Sequence, residues 1–343
     1  MDFNWPVVGH KKIVSYLQTV IENDQVNHAY LFYGKNSLGK SLVAKYFIQS
    51  IFCLSDKSKP CGTCSHCNQL KRGVHPDVIY LKREDDKKNI SIEQVRRVRD
   101  KLQHGSFLDS YKVVVIEDAE SLSLSASNAM LKILEEPVGK TVYVFLCENL
   151  NTIPETVISR VMSVEFLAVN KKEIAEYLVT LGKSKEEAYE LSCMSLGLPG
   201  LAINLSTSKK ALASESQGRQ EILNGIFGDI NDRFAVVEGL AGQDKSEKAR
   251  LKSIDFLYNL SIIVRDVMLL KNMCFDRVVN TPMRDNLLEK ASQYDNLKLV
   301  SILEKIKKTE EYIKRRKARM RGICVFGYQD SVKDCDEREK EKK

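Results

Sequence analysis

Gly34-Lys35-Asn36-Ser37-Leu38-Gly39-Lys40-Ser41 fits G-x-x-x-x-G-K-[ST] at every fixed position, with apolar Ala29 to Tyr33 before it and Leu42 to Phe52 after it. Strand, tight loop and helix in that order are the context the motif needs. Glycines let backbone N–H groups close around phosphates, Lys40 is placed to reach the β and γ oxygens, and Ser41 to hold Mg²⁺. The expected ligand is ATP or ADP with Mg²⁺. Without its flanks the same stretch would read as a glycine-rich turn capping an ordinary helix.

Upstream of the loop, Ile13, Leu17 and Ile21 recur at helical spacing, predicting a helix from about His10 to Glu22. His28, just before the first strand, reads as an adenine-side residue or a packing residue. Downstream, Lys112-Val-Val-Val-Ile-Glu-Asp118 carries four consecutive β-branched residues, the mark of a strand buried on both faces in a parallel sheet. Its two acids fall at the carboxyl end, where open α/β sheets bind ligands. Glu117 and Asp118 are therefore candidates to coordinate Mg²⁺ and to polarise an attacking water. In the usual order of such a pair the aspartate comes first. Here the shorter side chain stands where the water-activating glutamate is expected, so weak or absent hydrolysis is predicted.

Short strands at Asp77–Leu81, Thr141–Cys147 and Ser163–Leu167 alternate with helices at Ser91 onward, Asn128–Glu136 and Ile153–Arg160. Such alternation predicts a doubly wound parallel sheet. Ser91-Ile92-Glu93-Gln94 is a capping box, and it opens a helix with Ile92, Val95, Val98 and Leu102 on one face. Arg96, Arg97, Arg99 and Lys101 fall elsewhere on it, as a solvated face or a subunit or DNA contact.

Cys53, Cys61, Cys64 and Cys67 gather four of the nine cysteines within fifteen residues. Short C-x2-C spacings let neighbouring thiolates point at one tetrahedral Zn²⁺. A closed set of four leaves no position for water, so the expected role is structural. His66 or His75 in place of one cysteine is the alternative ligand set, and a redox role for Cys61 and Cys64 lacks a thioredoxin-like setting.

The chain of 343 residues has room for two or three domains and carries a modest net charge of +7, which permits nucleic acid as a partner without requiring it. No apolar run approaches the ~18 residues of a membrane span, and Met-Asp-Phe-Asn-Trp-Pro has no secretory character. A cytoplasmic location without membrane attachment is expected. After Lys171–Leu181, Lys185–Ser195 and the turn Gly197-Leu198-Pro199-Gly200, the pattern from Lys209 to Tyr328 is helical, with Phe256, Leu257, Leu260, Ile263, Val264 and Val267 forming a wide apolar stripe. The basic run Lys314 to Arg321 reads as a solvated helix end or a phosphate-tracking segment.

The loop, the strand with paired acids, Asn128-Ala-Met-Leu-Lys-Ile-Leu-Glu-Glu-Pro137 and Ser159-Arg160 occur here in one order. Together they resemble the clamp-loader AAA+ ATPases, whose signatures include a variant of N-A-L-L-K-x-L-E-E-P and an S-R-C motif. The resemblance is specific over about residues 5–205. Two kinds of bacterial subunit in that family carry a four-cysteine insert, the gamma or tau motor and delta-prime. His75-Pro76-Asp77, Ser91–Val95, Tyr111–Ala119 and Gly197–Ala202 are similar to the delta-prime kind.

The resemblance implies an AAA+ P-loop sheet domain over 1–168 with a zinc-binding insert near 53–67. It also implies a helical lid over 169–208, an all-α collar over 209–329 and a charged tail over 330–343. It implies a hetero-pentamer with gamma or tau and delta that uses ATP to place a sliding clamp on primer-template DNA. In that family the S-R-C arginine reaches a nucleotide held by the neighbouring subunit. Arg160 matches it, with Val161 in place of the cysteine. The sensor 2 arginine of the motor is matched by Gly200, and Cys147-Glu148-Asn149 departs from the motor's sensor 1 threonines. These departures imply a stator that completes another subunit's site and has little ATPase of its own. The first alternative is the motor ATPase; the second is another P-loop protein that binds nucleic acid.

Overall fold

A computed structural model describes residues 2–84, 87, 89–103, 111–227 and 247–316. The basic run Lys314–Arg321 lies outside this set from position 317 onward, as does the tail predicted over 330–343. The chain divides into two compact units, 1–203 and 204–343.

The first unit begins with β1 (Asp2–Phe3), α1 (Lys11–Glu22), β2 (Ala29–Tyr33) and α2 (Lys40–Phe52). It continues through β3 (Ser58–Lys59), α3 (Ser65–Arg72), β4 (Val78–Leu81), α4 (Ile92–Gln103), β5 (Lys112–Ile116) and α5 (Leu124–Glu135). β6 (Thr141–Cys147), α6 (Glu155–Ile158), β7 (Met162–Glu165), α7 (Lys171–Thr180), α8 (Lys185–Met194) and α9 (Pro199–Thr207) follow. Five of the strands form one parallel sheet in the order β4-β5-β6-β2-β7, so the predicted doubly wound sheet is present. β2 sits between β6 and β7, and the loop after it therefore opens at the carboxyl edge between two strands that are distant in sequence.

Alternation along the strands sorts the core into two layers. Tyr30, Phe32, Val113, Val115, Val142 and Val144 face α1 and α2, where Leu17, Val43 and Phe47 are fully buried. Ala29, Leu31, Val114, Ile116, Tyr143 and Phe145 face α4 and α5, against Val95, Leu102, Met130 and Ile133. Each of these larger side chains contributes about 1.5–3 kcal/mol by leaving water. The capping box forms as read: the Ser91 N–H donates to Gln94 Oε1 at 3.0 Å, and the Gln94 N–H to Ser91 Oγ at 3.4 Å.

Three local features differ from the sequence reading. The first helix starts at Lys11, because His10 takes a left-handed conformation at φ 54° as its N-cap. His28 is exposed, and what it offers the sheet is its backbone carbonyl, which accepts the Tyr143 N–H at 2.8 Å. The Gly197–Gly200 turn ends in a helix, with Pro199 opening α9, since a proline at the first helical position loses no hydrogen bond. β1 and β3 form a second, two-stranded parallel pair that fastens the chain start to the cysteine segment.

The second unit contains α10 (Lys209–Phe227), α11 (Glu247–Lys271), α12 (Arg284–Ala291) and α13 (Asn296–Arg316). The predicted stripe is its core: Leu257, Leu260, Ile263, Val264 and Val267 are buried with Leu287, Leu299, Ile306 and Ile313, and Phe256 is half-buried. No helix among the described residues is long and apolar enough to cross a membrane.

Asp266 lies within that stripe and is fully buried. Its Oδ2 accepts from the Val279 and Asn280 N–H groups at 3.0 and 2.8 Å and from Asn280 Nδ2 at 2.8 Å. Buried Arg219 donates to Asn280 Oδ1 at 3.0 Å and pairs with Glu215 at 2.9 Å, so α10, α11 and the segment before α12 share one polar network. Asp266→Ala leaves two backbone donors without their acceptor. It is expected to cost about 3 kcal/mol or more of second-unit stability in denaturant unfolding followed by circular dichroism.

Candidate nucleotide pocket and metal centre

β2 ends at Tyr33, and the phosphate loop turns from it through Gly34 at φ 140° and Gly39 at φ 97°. A Cβ at Gly34 would stand 2.3 Å from the Phe166 carbonyl oxygen, so the loop lies against the chain leaving β7 and tolerates no side chain there. Gly39 caps α2 without a side-chain acceptor, leaving the first N–H groups of that helix aimed at the space above the loop. His10 supports the loop from beneath. Its Nε2 donates to the Leu38 carbonyl at 3.0 Å, its ring meets Phe166 edge-on at 4.9 Å, and burial lowers its pKa against the opposing effect of the Leu38 bond. Nothing in the spacing of Gly9-His10 announces that contact.

A cavity of about 420 Å³ opens over the loop, within the range of cofactor sites. Asn36 to Leu42 line one side, the apolar segment Pro6-Val7-Val8 with Tyr177 and Ile203 another, and Glu117, Asp118, Glu120 and Glu148 the strand ends. The structure thus brings Asn36, Ser37, Leu38, Gly39, Lys40, Ser41 and both predicted acids to one pocket; Gly34 and Lys35 form the loop's base. Lys40 is 7% exposed, and its ammonium turns back on the loop, donating to the carbonyls of Gly34 and of Lys35, the latter at 2.8 Å. Burial lowers its pKa, opposed first by the charge of Glu148.

Asp118 adopts a left-handed backbone at φ 51° and caps the short turn Ala119–Ser121, which swings Glu120 under the pocket. Glu120 was not singled out in the sequence, and its one signal is a third acid two residues beyond the pair. Its Oε1 accepts the Glu148 N–H at 3.2 Å, while its Oε2 is buried with no hydrogen-bond partner among the described residues. Burial raises its pKa, with Glu148 and Asp118 adding to the shift.

A carboxyl whose folded pKa is raised weakens the fold where it is ionised, and that penalty fades as pH falls through the raised value. Glu120→Gln is therefore expected to raise the thermal midpoint at pH 8 and to leave it little changed at pH 4. An equal gain at both pH values would contradict this account.

Gly200, the position matching sensor 2, donates its N–H to the Ser37 carbonyl at 2.8 Å. A Cβ there would lie 3.0 Å from that same oxygen, so the first turn of α9 rests on the phosphate loop through a bare backbone. Cys147 is buried at the end of β6 beside the pocket, and burial pushes its thiol up to about 12.

Arg160 does not line this pocket. It stands at the end of α6 with its side chain 38% exposed, donating to the Thr156 carbonyl at 2.9 Å and pairing with Glu135 at 2.8 Å. Glu135 closes α5, the helix of the Asn128–Pro137 motif.

The four cysteines converge. The Sγ atoms of Cys53, Cys61, Cys64 and Cys67 all lie within 4.8 Å of one another, a group able to hold a metal ion. Backbone N–H groups of Cys61, Cys64 and Cys67 point at the sulfurs of Cys53, Cys61 and Cys64 at 3.2, 3.3 and 3.4 Å. Such donors favour thiolates: those of Thr63 and Cys64 bring Cys61 down to about 6, whereas burial raises Cys53 and Cys67. The alternative ligands are engaged elsewhere. His66 Nδ1 and His75 Nε2 are hydrogen-bonded at 3.1 Å, and His75 Nδ1 accepts the Asp77 N–H at 3.2 Å.

The profile of the DNA polymerase III delta subunit family matches residues 9–170, which span the phosphate loop, the cysteine cluster, the paired acids and Arg160. The delta-prime subunit of Bacillus subtilis DNA polymerase III is 30% identical over 57% of this chain and 59% of its own length. That of Pseudomonas aeruginosa is 36% identical over 39% of this chain and 41% of its own.

Over residues 9–170 the chain is similar to the delta subunit family of DNA polymerase III.

A tau/gamma subunit from Haemophilus influenzae is also similar, 25% identical over 67% of this chain and 34% of its own length. The chain thus spans roughly a third to three fifths of these relatives. Of these three relatives the delta-prime subunits carry the higher identities, and the tau/gamma subunit matches over a longer stretch.

Proposed function

We propose that the chain is the delta-prime stator subunit of a replicative clamp loader. It would assemble with gamma or tau and delta in a hetero-pentamer and supply Arg160 to the ATP site of the adjacent motor subunit. Through that assembly it would take part in placing the sliding clamp on primer-template DNA. The observation that carries this reading is the location of Arg160, on the surface, outside the chain's own pocket and paired with Glu135 at the end of the motif helix. A guanidinium delivered from outside can stabilise charge developing on the γ-phosphoryl oxygens of a neighbour's nucleotide.

The pocket of this chain would hold ATP or ADP with Mg²⁺ through Asn36 to Ser41. Hydrolysis there would be weak or absent: Gly200 brings no cation to the phosphates, and Asp118 is a residue too short for the water-activating role. The four cysteines would hold a structural Zn²⁺. One specific observation favours the motor reading instead, the unbroken phosphate loop. The two separate on the isolated chain, whose turnover is expected to be negligible beside that of a gamma or tau subunit. Brisk hydrolysis by the chain alone would establish a motor. Co-purification with gamma or tau and delta from cells tests the assembly itself.

A further inference from the structure

The charged side chains lining the pocket are mostly acidic. Among its lining residues Lys40 is the one lysine or arginine, set against the carboxylates of Glu117, Asp118, Glu120 and Glu148. Glu117 and Asp118 are at the end of β5, where a Mg²⁺ ion would be met. Glu148 is different: it follows β6, accepts a hydrogen bond from Asn36 Nδ2 in the middle of the phosphate loop, and has its own N–H held by Glu120. It is also the acid that acts most strongly on the Lys40 ammonium.

The N–H groups at the start of α2 cradle the inner phosphates, and the lysine of such a loop extends toward the β and γ groups. A carboxylate tied to the loop on the same pocket wall as that lysine would meet the outermost phosphate of a bound triphosphate, with no arginine at Gly200 to offset it, since Gly200 rests against Ser37.

We propose that Glu148 makes this pocket selective for a nucleoside diphosphate over the triphosphate. This rests on the reading that the phosphate loop binds nucleotide, but not on the stator role of Arg160. A third phosphate brings added negative charge to within a few ångströms of the Glu148 carboxylate. At an effective dielectric of ~20, as for charges near a protein surface, repulsion across a few ångströms exceeds a factor of about ten in affinity. The diphosphate ends short of it and keeps both Lys40 and the helix N-terminus.

The test is calorimetric titration of the full chain with ADP and with ATP, in Mg²⁺, for the wild type and Glu148→Gln. The wild type is expected to bind ADP about tenfold or more tighter than ATP, and Glu148→Gln to bring the two within about twofold, chiefly by tightening ATP. Glu148 is exposed, so the variant is expected to fold, and its thermal midpoint provides the check. Equal wild-type affinities, or an unchanged ratio in the variant, overturn the assignment. Failure of both nucleotides to bind overturns it together with the nucleotide reading of the pocket, while leaving the Arg160 experiment to decide the stator role separately.

Discussion

Arg160→Ala, in a reconstituted loader whose other motor sites are silenced by phosphate-loop substitutions, is expected to lower ATP turnover at the adjoining site by ~10³-fold or more. The size follows from what a guanidinium does in phosphoryl transfer: it meets charge that grows as the γ-phosphoryl group departs, in a site from which water has been displaced. The same substitution costs the chain itself little. The pair with Glu135 joins two groups that are 38% and 50% exposed, and exposed pairs of this kind contribute at most about 1 kcal/mol. Arg160→Ala should thus melt like the wild type and assemble normally while the site falls silent. Arg160→Lys keeps the charge but loses the planar fork and should recover only a small part of the rate. An assembled complex with unchanged turnover would show that the arginine does not reach the neighbour's nucleotide.

Metal analysis of the purified chain is expected to find one Zn²⁺ per chain, and Cys64→Ser to lose it and lower the first unit's thermal midpoint by about 10 °C. Cys64 caps α3, its sulfur accepts the Cys67 N–H, and the segment before it is fastened to the chain start by β1 and β3. Release of the metal therefore loosens α3 and the β1–β3 pair together. Trp5, the one tryptophan, follows β1 and donates its indole N–H to Ser50 of α2 at 3.0 Å. Its fluorescence reports on the first unit and separates this transition from that of the helices beyond residue 204. A metal-free protein with an unshifted midpoint would refute the zinc assignment.

Where the local pattern is strong, the chain and the fold agree. The β-branched run at Val113–Ile116 suits burial on both faces, and it is the second strand of the sheet, buried throughout. The phosphate loop was legible because its glycines answer a backbone demand, seen here as positive φ at Gly34 and Gly39. The cysteine set was legible in number, but spacing alone left His66 and His75 open as ligands. Only the folded chain shows those two rings bonded to each other instead. Asp266 gave one faint signal, an acid inside an apolar stripe, and its partners Val279 and Asn280 lie too far along the chain for periodicity to connect.

By itself the sequence determined the parallel α/β class, the phosphate loop, the order of the paired acids and the clustering of four cysteines. Each of these is a short-range pattern with a physical requirement written into neighbouring residues. The tertiary structure alone decided the electrostatics of the pocket. Glu120 swings under it through the left-handed turn at Asp118, Glu148 ties to Asn36 across more than a hundred residues, and Gly200 rests its backbone on Ser37. Charge and close approach depend on distances in space, and the strand order that sets β2 beside β6 creates those distances only when the sheet forms.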